Sequence, residues 1–265
     1  MAVLSATALL PGAAALLGHH DVELPQKDGL CGPFWGALAL RARGIPADQD
    51  AVALAAGTTI TRCAPRPPGA RPRRDYVRAL PPAAHPACAG TTAERLAGAI
   101  EILSDGALAA LPASGGWNAD GVRGLLQAPH AGPVTALANL DVGLLWGSHA
   151  NPASLACYLE RGDESAGPPA DWRTGHFVAL IGLMVGVRGA LVVVADSYRS
   201  LGCAGVHLQP VERVAQALAR EGSEAQGGVL LVVDAAQEAS AGREIEAAGL
   251  TRKLWDNRSR PAAPV

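Results

Sequence analysis

Cysteine and histidine are the residues of this sequence best suited to nucleophilic chemistry, and Cys31 has the most suggestive position. The stretch LCGPFWGALALRAR at 30–43 places Phe34, Leu38 and Ala42 at helical spacing, with Gly44 as a stop signal. The free amides and dipole at a helix N-terminus stabilise a thiolate, which is the reactive form of cysteine. Cys31 is therefore a candidate nucleophile, although most free cysteines are small buried apolar residues.

Gln26 lies five residues before Cys31. At this spacing its side-chain amide could point at the same reacting atom as the backbone N–H of Cys31. Two donors that converge on one point form an oxyanion hole, which stabilises the charge that develops on an attacked carbonyl oxygen. The pair Gln26 and Cys31 thus predicts acyl transfer.

His176 and Asp196 lie in two apolar stretches, HFVALIGLMVGV and ALVVVADSY, joined by GVRGA. The stretches predict a β-hairpin with its turn near Val187 and Arg188. An antiparallel register returns Asp196 to within one diagonal step of His176. A lone histidine at a strand start is more often structural, but a nearby carboxylate can orient its ring for catalysis.

Together these motifs resemble papain-like cysteine peptidases of the bacteriocin-leader-processing type, which remove double-glycine leaders. The similarity covers 26–40 (QKDGLCGPFWGALAL) and 175–198, with its Gly-His pair and VVVADSY. The resemblance implies that Cys31 is the nucleophile, His176 the base, Asp196 the orienting residue and Gln26 the oxyanion donor. It also implies hydrolysis of a peptide amide without a cofactor, and leader removal during maturation of a ribosomally made peptide.

Two other functions use the same residues. A transpeptidase, cyclase or amidase would form the same acyl-enzyme and resolve it with an amine or release it from a non-protein amide. A non-catalytic module would keep the cleft and bind peptides without cleaving them. The sequence does not distinguish water from another acceptor.

The remaining patterns predict an α+β protein of papain-like fold. Helical or capping signals start at Thr91, Asn118 and Asn151, and a further helix is expected at 211–220. Strand signals start at Ala204 and Gly227, after the hairpin. We expect one domain at 1–235, with a helical half at about 20–160 packed on a mainly antiparallel sheet at about 175–235, followed by a partly frayed C-terminal extension at 236–265.

Two segments flank the predicted site. The loop before His176 brings Trp172 and Gly175 close to it, and both are candidate substrate contacts, with structural support as the alternative for Trp172. The Arg- and Pro-rich segment 62–86 is expected to be a long loop whose basic residues are solvated. Cys63 and His85 of this segment, with Cys88 just after it, resemble part of a zinc site but lack a fourth ligand, so no metal is expected.

Charge disfavours two classes of partner and cysteine content indicates the compartment, while the peptide substrate is implied by the resemblance. A net charge of −2 and a pI near 6.4 disfavour nucleic acid and anionic membranes. Five scattered cysteines do not suggest a disulfide framework, so a reducing cytoplasm is expected. Residues 1–17 are apolar but lack Lys and Arg and contain Pro11 and Gly12, which fits neither a signal peptide nor a membrane span. The sequence carries no signal for an oligomeric state.

Overall fold

A single seven-stranded sheet forms the centre of the computed structural model, which describes residues 4–220 and 223–259. Its strand order is β2-β7-β3-β4-β5-β6, with β1 paired to β4, and every paired strand is antiparallel. The strands are β1 (Leu4–Leu9), β2 (Leu108–Ala113), β3 (Thr135–Asp141), β4 (Gly175–Gly186), β5 (Ala190–Ala195), β6 (Val206–Pro210) and β7 (Gly228–Asp234). The expected α+β class with a mainly antiparallel sheet is confirmed.

Helices cover both faces of this sheet. They are α1 (Ala13–Glu23), α2 (Cys31–Arg41), α3 (Gln49–Ala55), α4 (Ala93–Leu103), α5 (Ala119–Gln127), α6 (Pro152–Arg161), α7 (Val211–Ala219) and α8 (Glu238–Ala247). Helices α1 to α4 share one buried apolar cluster with one face of the sheet. Helices α5, α7 and α8 share a second cluster with the other face. Because both faces of the sheet are buried, successive strand residues are apolar, and the strands consist of nearly continuous runs of Val, Leu and Ala.

Helix α2 is buried along almost its whole length. Every residue from Gly32 to Leu40 is buried, while Cys31 at the first turn is only partly so. A Cβ atom at Gly36 would lie 3.0 Å from Val52 and 3.1 Å from Leu96, so glycine permits close packing of α2 on α3 and α4. The Trp35 indole Nε1–H donates to the carbonyl of Phe177 at 3.1 Å, which fixes α2 against β4.

The β4–β5 hairpin contains a bulge that determines which face Asp196 shares. Val185 pairs with Ala190 and Gly182 with Val193, but the register shifts at Ile181 so that Ala179 pairs with Ala195. Continuing this register by one residue places Asp196 opposite Val178, on the same face as His176. Without the extra residue Asp196 would oppose Ala179 and lie on the other face.

Helix caps were the most predictable local features. Thr92, Asn118 and Asn151 each accept a hydrogen bond from the backbone N–H three residues later, at the starts of α4, α5 and α6. The helix expected at 211–220 is α7, and the strands expected near Ala204 and Gly227 are β6 and β7.

The division into a helical half and a sheet half is wrong, because β2 and β3 come from the expected helical half and pair with β7 and β4. Elements β1, α1 and α3 also lie outside the predicted set. Short Ala- and Leu-rich runs such as Leu108–Ala113 are ambiguous between helix and strand, and their pairing partners decide the outcome.

The C-terminal extension is folded through residue 259. Ala241 and Ile245 of α8 are buried in the core, and Trp255 is 5% exposed. The Asn257 side-chain amide donates to the carbonyl of Thr91 at 2.9 Å. The expectation of fraying therefore fails for 236–259, and residues 260–265 lie outside the described residues. Within the described part of the chain, no helix is long and apolar enough to cross a lipid bilayer.

Candidate active site

Cys31, His176 and Asp196 meet where the N-terminus of α2 faces the first residues of β4. Asp196 directly follows β5, and the His176 Nε2 atom lies 3.2 Å from the Asp196 Oδ1 atom. The side chains of His176 and Asp196 are both buried. His176 also lines a cleft together with Cys31. Because Nε2 faces Asp196, the Nδ1 atom of His176 remains for the Cys31 thiol.

The pKa values of Cys31 and His176 shift in opposite directions. Burial by itself would raise the pKa of the Cys31 thiol, but the hydrogen bond and charge of His176 outweigh it, and the result lies below the ordinary value. Burial by itself would lower the pKa of His176, but the charge and hydrogen bond of Asp196, together with Cys31, raise it above its ordinary value. Both shifts favour the thiolate–imidazolium form of the pair over the neutral form.

Asp196 is held by its own backbone as well as by its carboxylate. The Tyr198 N–H donates to Oδ1 at 3.2 Å, and the Asp196 N–H donates to the carbonyl of Gly205 at 2.7 Å. The His20 Nε2 atom lies 2.6 Å from the Asp196 carbonyl, and burial lowers the pKa of His20, so a neutral ring donates there. The sequence offered no signal for this role, because His20 is distant in the chain and precedes a helix end.

Ser197 connects His176 to Gln26. Its Oγ–H donates to Gln26 Oε1 at 2.5 Å, and its Oγ atom lies 3.3 Å from His176 Nε2. The Gln26 Nε2 group donates one N–H to the Lys27 carbonyl at 3.4 Å, so its second N–H remains for the cleft, which Gln26 lines together with Cys31. Gln26 is buried and its backbone N–H donates to the Ser197 carbonyl at 2.9 Å, so the amide has a fixed position.

Two aromatic side chains surround the His176 ring. Trp172, which is partly buried, meets it edge-on with ring centroids 5.1 Å apart. Tyr198 lies nearly parallel to it at 6.0 Å, and Trp172 meets Tyr198 edge-on at 5.6 Å. Trp172 also lines the cleft, so it both supports the imidazole and faces the space where a substrate would bind.

The cleft has a volume of about 480 Å³ and one of its walls comes from the Arg- and Pro-rich loop. This loop is tied to the segment before Cys31 through the buried Asp28 carboxylate, which pairs with Arg66 at 2.9 Å and Arg74 at 3.1 Å. The Tyr76 hydroxyl also donates to the Asp28 carbonyl at 2.6 Å. Arg66 and Arg74 are therefore not simply solvated, as the sequence suggests for the basic residues of this loop, but hold the wall of the cleft in place.

Gly175 lies at the opposite wall and is exposed, next to Asp141 on β3. The structure thus brings all six predicted site residues to one region, with Asp196 behind His176 rather than in the cleft lining. Among the described residues, no three His, Cys, Asp or Glu side chains are grouped to hold a metal ion, and this includes Cys63, His85 and Cys88.

These features define an α+β protein with a Cys–His–Asp constellation at the end of a buried helix. The chain belongs to a protein family of unknown function (DUF6885), whose model matches residues 10–256. A search of curated proteins finds no match to the chain. The match covers every residue of the constellation.

The pKa shifts of Cys31 and His176 predict that Cys31 is alkylated selectively and that its alkylation rate depends less on pH than that of an ordinary thiol. Iodoacetamide should modify Cys31 faster than the more exposed Cys63 and Cys203. Because its pKa is lowered, the Cys31 thiolate should persist as pH falls below the ordinary thiol value of about 8.5, where a model thiol peptide loses reactivity. Mass spectrometry of the labelled peptides measures each rate.

The control for this measurement is His176→Ala, which leaves the burial of Cys31 and removes the imidazole that lowers its pKa. The rate at neutral pH should then fall on the order of tenfold or more, since one pKa unit changes the thiolate fraction tenfold. Equal labelling of Cys63 and Cys31 in the parent protein would contradict the assignment.

Proposed function

We propose that this protein is a cysteine hydrolase of papain-like fold that cleaves a peptide amide through an acyl-enzyme on Cys31. The observation that carries the proposal is the position of Cys31 at the N-terminus of buried helix α2, facing a His176 ring that Asp196 holds by a 3.2 Å hydrogen bond. Acyl transfer by a thiol uses a nucleophile that contacts a base, and a carboxylate that orients the base, which is the arrangement of these three residues.

The proposed papain-like fold is supported by the secondary-structure elements on which Cys31, His176 and Asp196 lie. The nucleophile starts a helix, the base starts a strand, and the carboxylate ends the next strand of an antiparallel sheet. This is the order implied by the resemblance to papain-like peptidases. Trp35 and Phe177 connect the helix and the strand, so the distance between nucleophile and base is set by core packing and not by a loop.

The first half-reaction follows from the protonation states of the pair. The Cys31 thiolate attacks the carbonyl carbon of the scissile amide, and the carbonyl oxygen takes up the negative charge. The backbone N–H of Cys31 and the Gln26 Nε2–H donate to that oxygen. His176 gives its proton to the leaving amine, the C–N bond breaks, and a thioester remains on Cys31.

The second half-reaction returns the enzyme to its starting state. Water enters the site of the departed amine and gives a proton to the now neutral His176 as it attacks the thioester carbonyl. The C–S bond breaks, the carboxylic acid product leaves, and Cys31 is again a thiolate beside an imidazolium. Asp196 keeps the ring in one orientation through both proton transfers.

The substrate we propose is a peptide, and removal of a leader from a ribosomally made precursor is the reaction that the family resemblance suggests. A cleft of about 480 Å³ between the loop wall and the start of β4 has room for several residues of an extended chain. All five cysteines are unpaired, which suits a reducing compartment such as the cytoplasm.

The proposal is tested by replacing the nucleophile. Cys31→Ala should fold as the parent does and lose cleavage of a proteome-derived peptide library by at least about a thousandfold, because no other group in the site can form the thioester. New peptide termini are counted by mass spectrometry. The matched control is Cys203→Ala, an exposed cysteine outside the cleft, which should cleave like the parent. Cleavage retained by Cys31→Ala would refute a cysteine mechanism.

Gln26 can be tested by comparing two reactions of the same thiol. Gln26→Ala should slow peptide cleavage about a hundredfold, because an oxyanion donor acts mainly in the transition state. Iodoacetamide alkylation of Cys31 forms no oxyanion and should be nearly unchanged. Ser197→Ala, which frees the amide without removing it, should give a smaller loss of cleavage. Equal losses in cleavage and alkylation for Gln26→Ala would instead assign Gln26 to the positioning of Cys31.

A further inference from the structure

Arg220 is a buried cation at the edge of the candidate active site. It directly follows α7, is 6% exposed, and lines the same cleft as Cys31 and His176. Its Nη2–H donates to the Asn139 side-chain oxygen, and among the described residues its buried Nε–H has no hydrogen-bond partner. A guanidinium carries five N–H donors, so most of its bonding capacity remains unused.

The charge of Arg220 is also uncompensated at close range. Of the other arginines that line the cleft, Arg173 faces Asp141 at 4.0 Å and Arg258 pairs with Glu224. Within residues 4–220 and 223–259, no carboxylate lies within ion-pair distance of Arg220, and Asp141 and Cys31 act on it only through space. Burial lowers the pKa of Arg220, yet a guanidinium stays protonated in proteins, so a desolvated positive charge results.

A purely structural role would be to tie the end of α7 to β3 through Asn139. That role needs one hydrogen bond to a neutral amide, and a neutral side chain would fill it without the cost of burying a cation. The structure instead keeps a full charge in the same cleft as Cys31, and the described lining of this cleft contains three arginines (Arg173, Arg220, Arg258) and a single acidic residue (Asp141).

Gly175 leaves the guanidinium accessible from the cleft. A Cβ atom at this exposed position would lie 3.1 Å from Arg220 Nη2 and 3.2 Å from Nη1. The backbone of Gly175 is not in the left-handed region, so its conformation does not require glycine. The missing side chain therefore opens space in front of the Nη atoms, one residue before His176.

We propose that Arg220 is a specificity residue that binds a carboxylate of the substrate across Gly175, close to the bond that Cys31 attacks. The planar fork of a guanidinium matches a carboxylate with two parallel hydrogen bonds. The carboxylate belongs either to the C-terminus of the peptide or to an Asp or Glu side chain beside the scissile amide. That the carboxylate belongs to a substrate rests on the proposed function, whereas the binding of a carboxylate by Arg220 does not.

The first arm of the test uses two small probes and needs no hydrolysis. Iodoacetate and iodoacetamide alkylate the same thiol and differ in a carboxylate against an amide. The ratio of their rates at Cys31, read on the Cys31 peptide to exclude Cys63, should exceed the ratio for a model thiol peptide. In Arg220→Gln the ratio should fall about tenfold, as expected for the loss of one charge-assisted hydrogen bond.

Two further variants serve as controls for the alkylation measurement. Asn139→Asp keeps the guanidinium and gives it a carboxylate partner, so it should lower the ratio even if Arg220→Gln folds poorly. Arg173→Gln removes an exposed positive charge from the same cleft and should leave the ratio nearly unchanged. A ratio unchanged in both Arg220→Gln and Asn139→Asp, or lowered equally by Arg173→Gln, would overturn the proposal.

The second arm identifies the source of the carboxylate with matched peptide libraries. One pair has free-acid or amidated C-termini, and the other has Asp and Glu replaced by Asn and Gln. The parent should cleave one acidic member of these pairs about tenfold better, and Arg220→Gln should lose that preference. Cleavage of both members alike would reject Arg220 as a specificity residue. Absence of any cleavage by the parent would refute the proposed function, while the alkylation ratio would still decide the carboxylate site.

Discussion

The hydrogen bond between His176 and Asp196 forms inside the protein, where an unpaired carboxylate would be strongly destabilising. It depends on the bulge at Ile181, which shifts the β4–β5 register by one residue and puts both side chains on one face. Tyr198, Gly205 and His20 then hold the Asp196 segment through its carboxylate and backbone. The orientation of His176, and with it the protonation of Cys31, follows from this arrangement.

Cys31 is positioned by core packing, and one wall of the cleft around it is built by a segment with little regular structure. Helix α2 packs against α3, α4 and the sheet, so the packing of its buried residues determines where Cys31 lies relative to His176. The loop wall is attached through ion pairs to Asp28, three residues before Cys31. One short segment therefore carries the candidate oxyanion donor Gln26, the anchor Asp28 and the candidate nucleophile Cys31, which couples the shape of the cleft to the position of the Cys31 thiol.

The sequence predicted which candidate site residues lie close together better than it predicted the fold. Cys31, His176 and Asp196 could be placed because a helix start and a hairpin are local patterns, and pairing within a hairpin is set by its turn. The bulge could not be foreseen, since Ile181 has no special residue type, and only the shift it causes makes the diagonal estimate come out right. Strands β2 and β3 were missed because their partners β7 and β4 are distant in the chain. Ser197, His20 and Arg220 likewise reach the candidate site only through long-range contacts.

The central claim is that Cys31 and His176 form a thiolate–imidazolium pair supported by Asp196. Nuclear magnetic resonance of protein labelled with ¹⁵N-histidine measures it directly, with the His176 signals assigned among the seven histidines by a His176→Gln variant. Because Asp196 and Cys31 raise the pKa of His176, its ring should remain protonated well above the ordinary value of about 6.5. The pKa should fall in Cys31→Ala, which removes the thiolate, and in Asp196→Asn, which removes the carboxylate. A ring that is neutral above pH 6.5 in the parent, with the same titration in Cys31→Ala, would contradict the account.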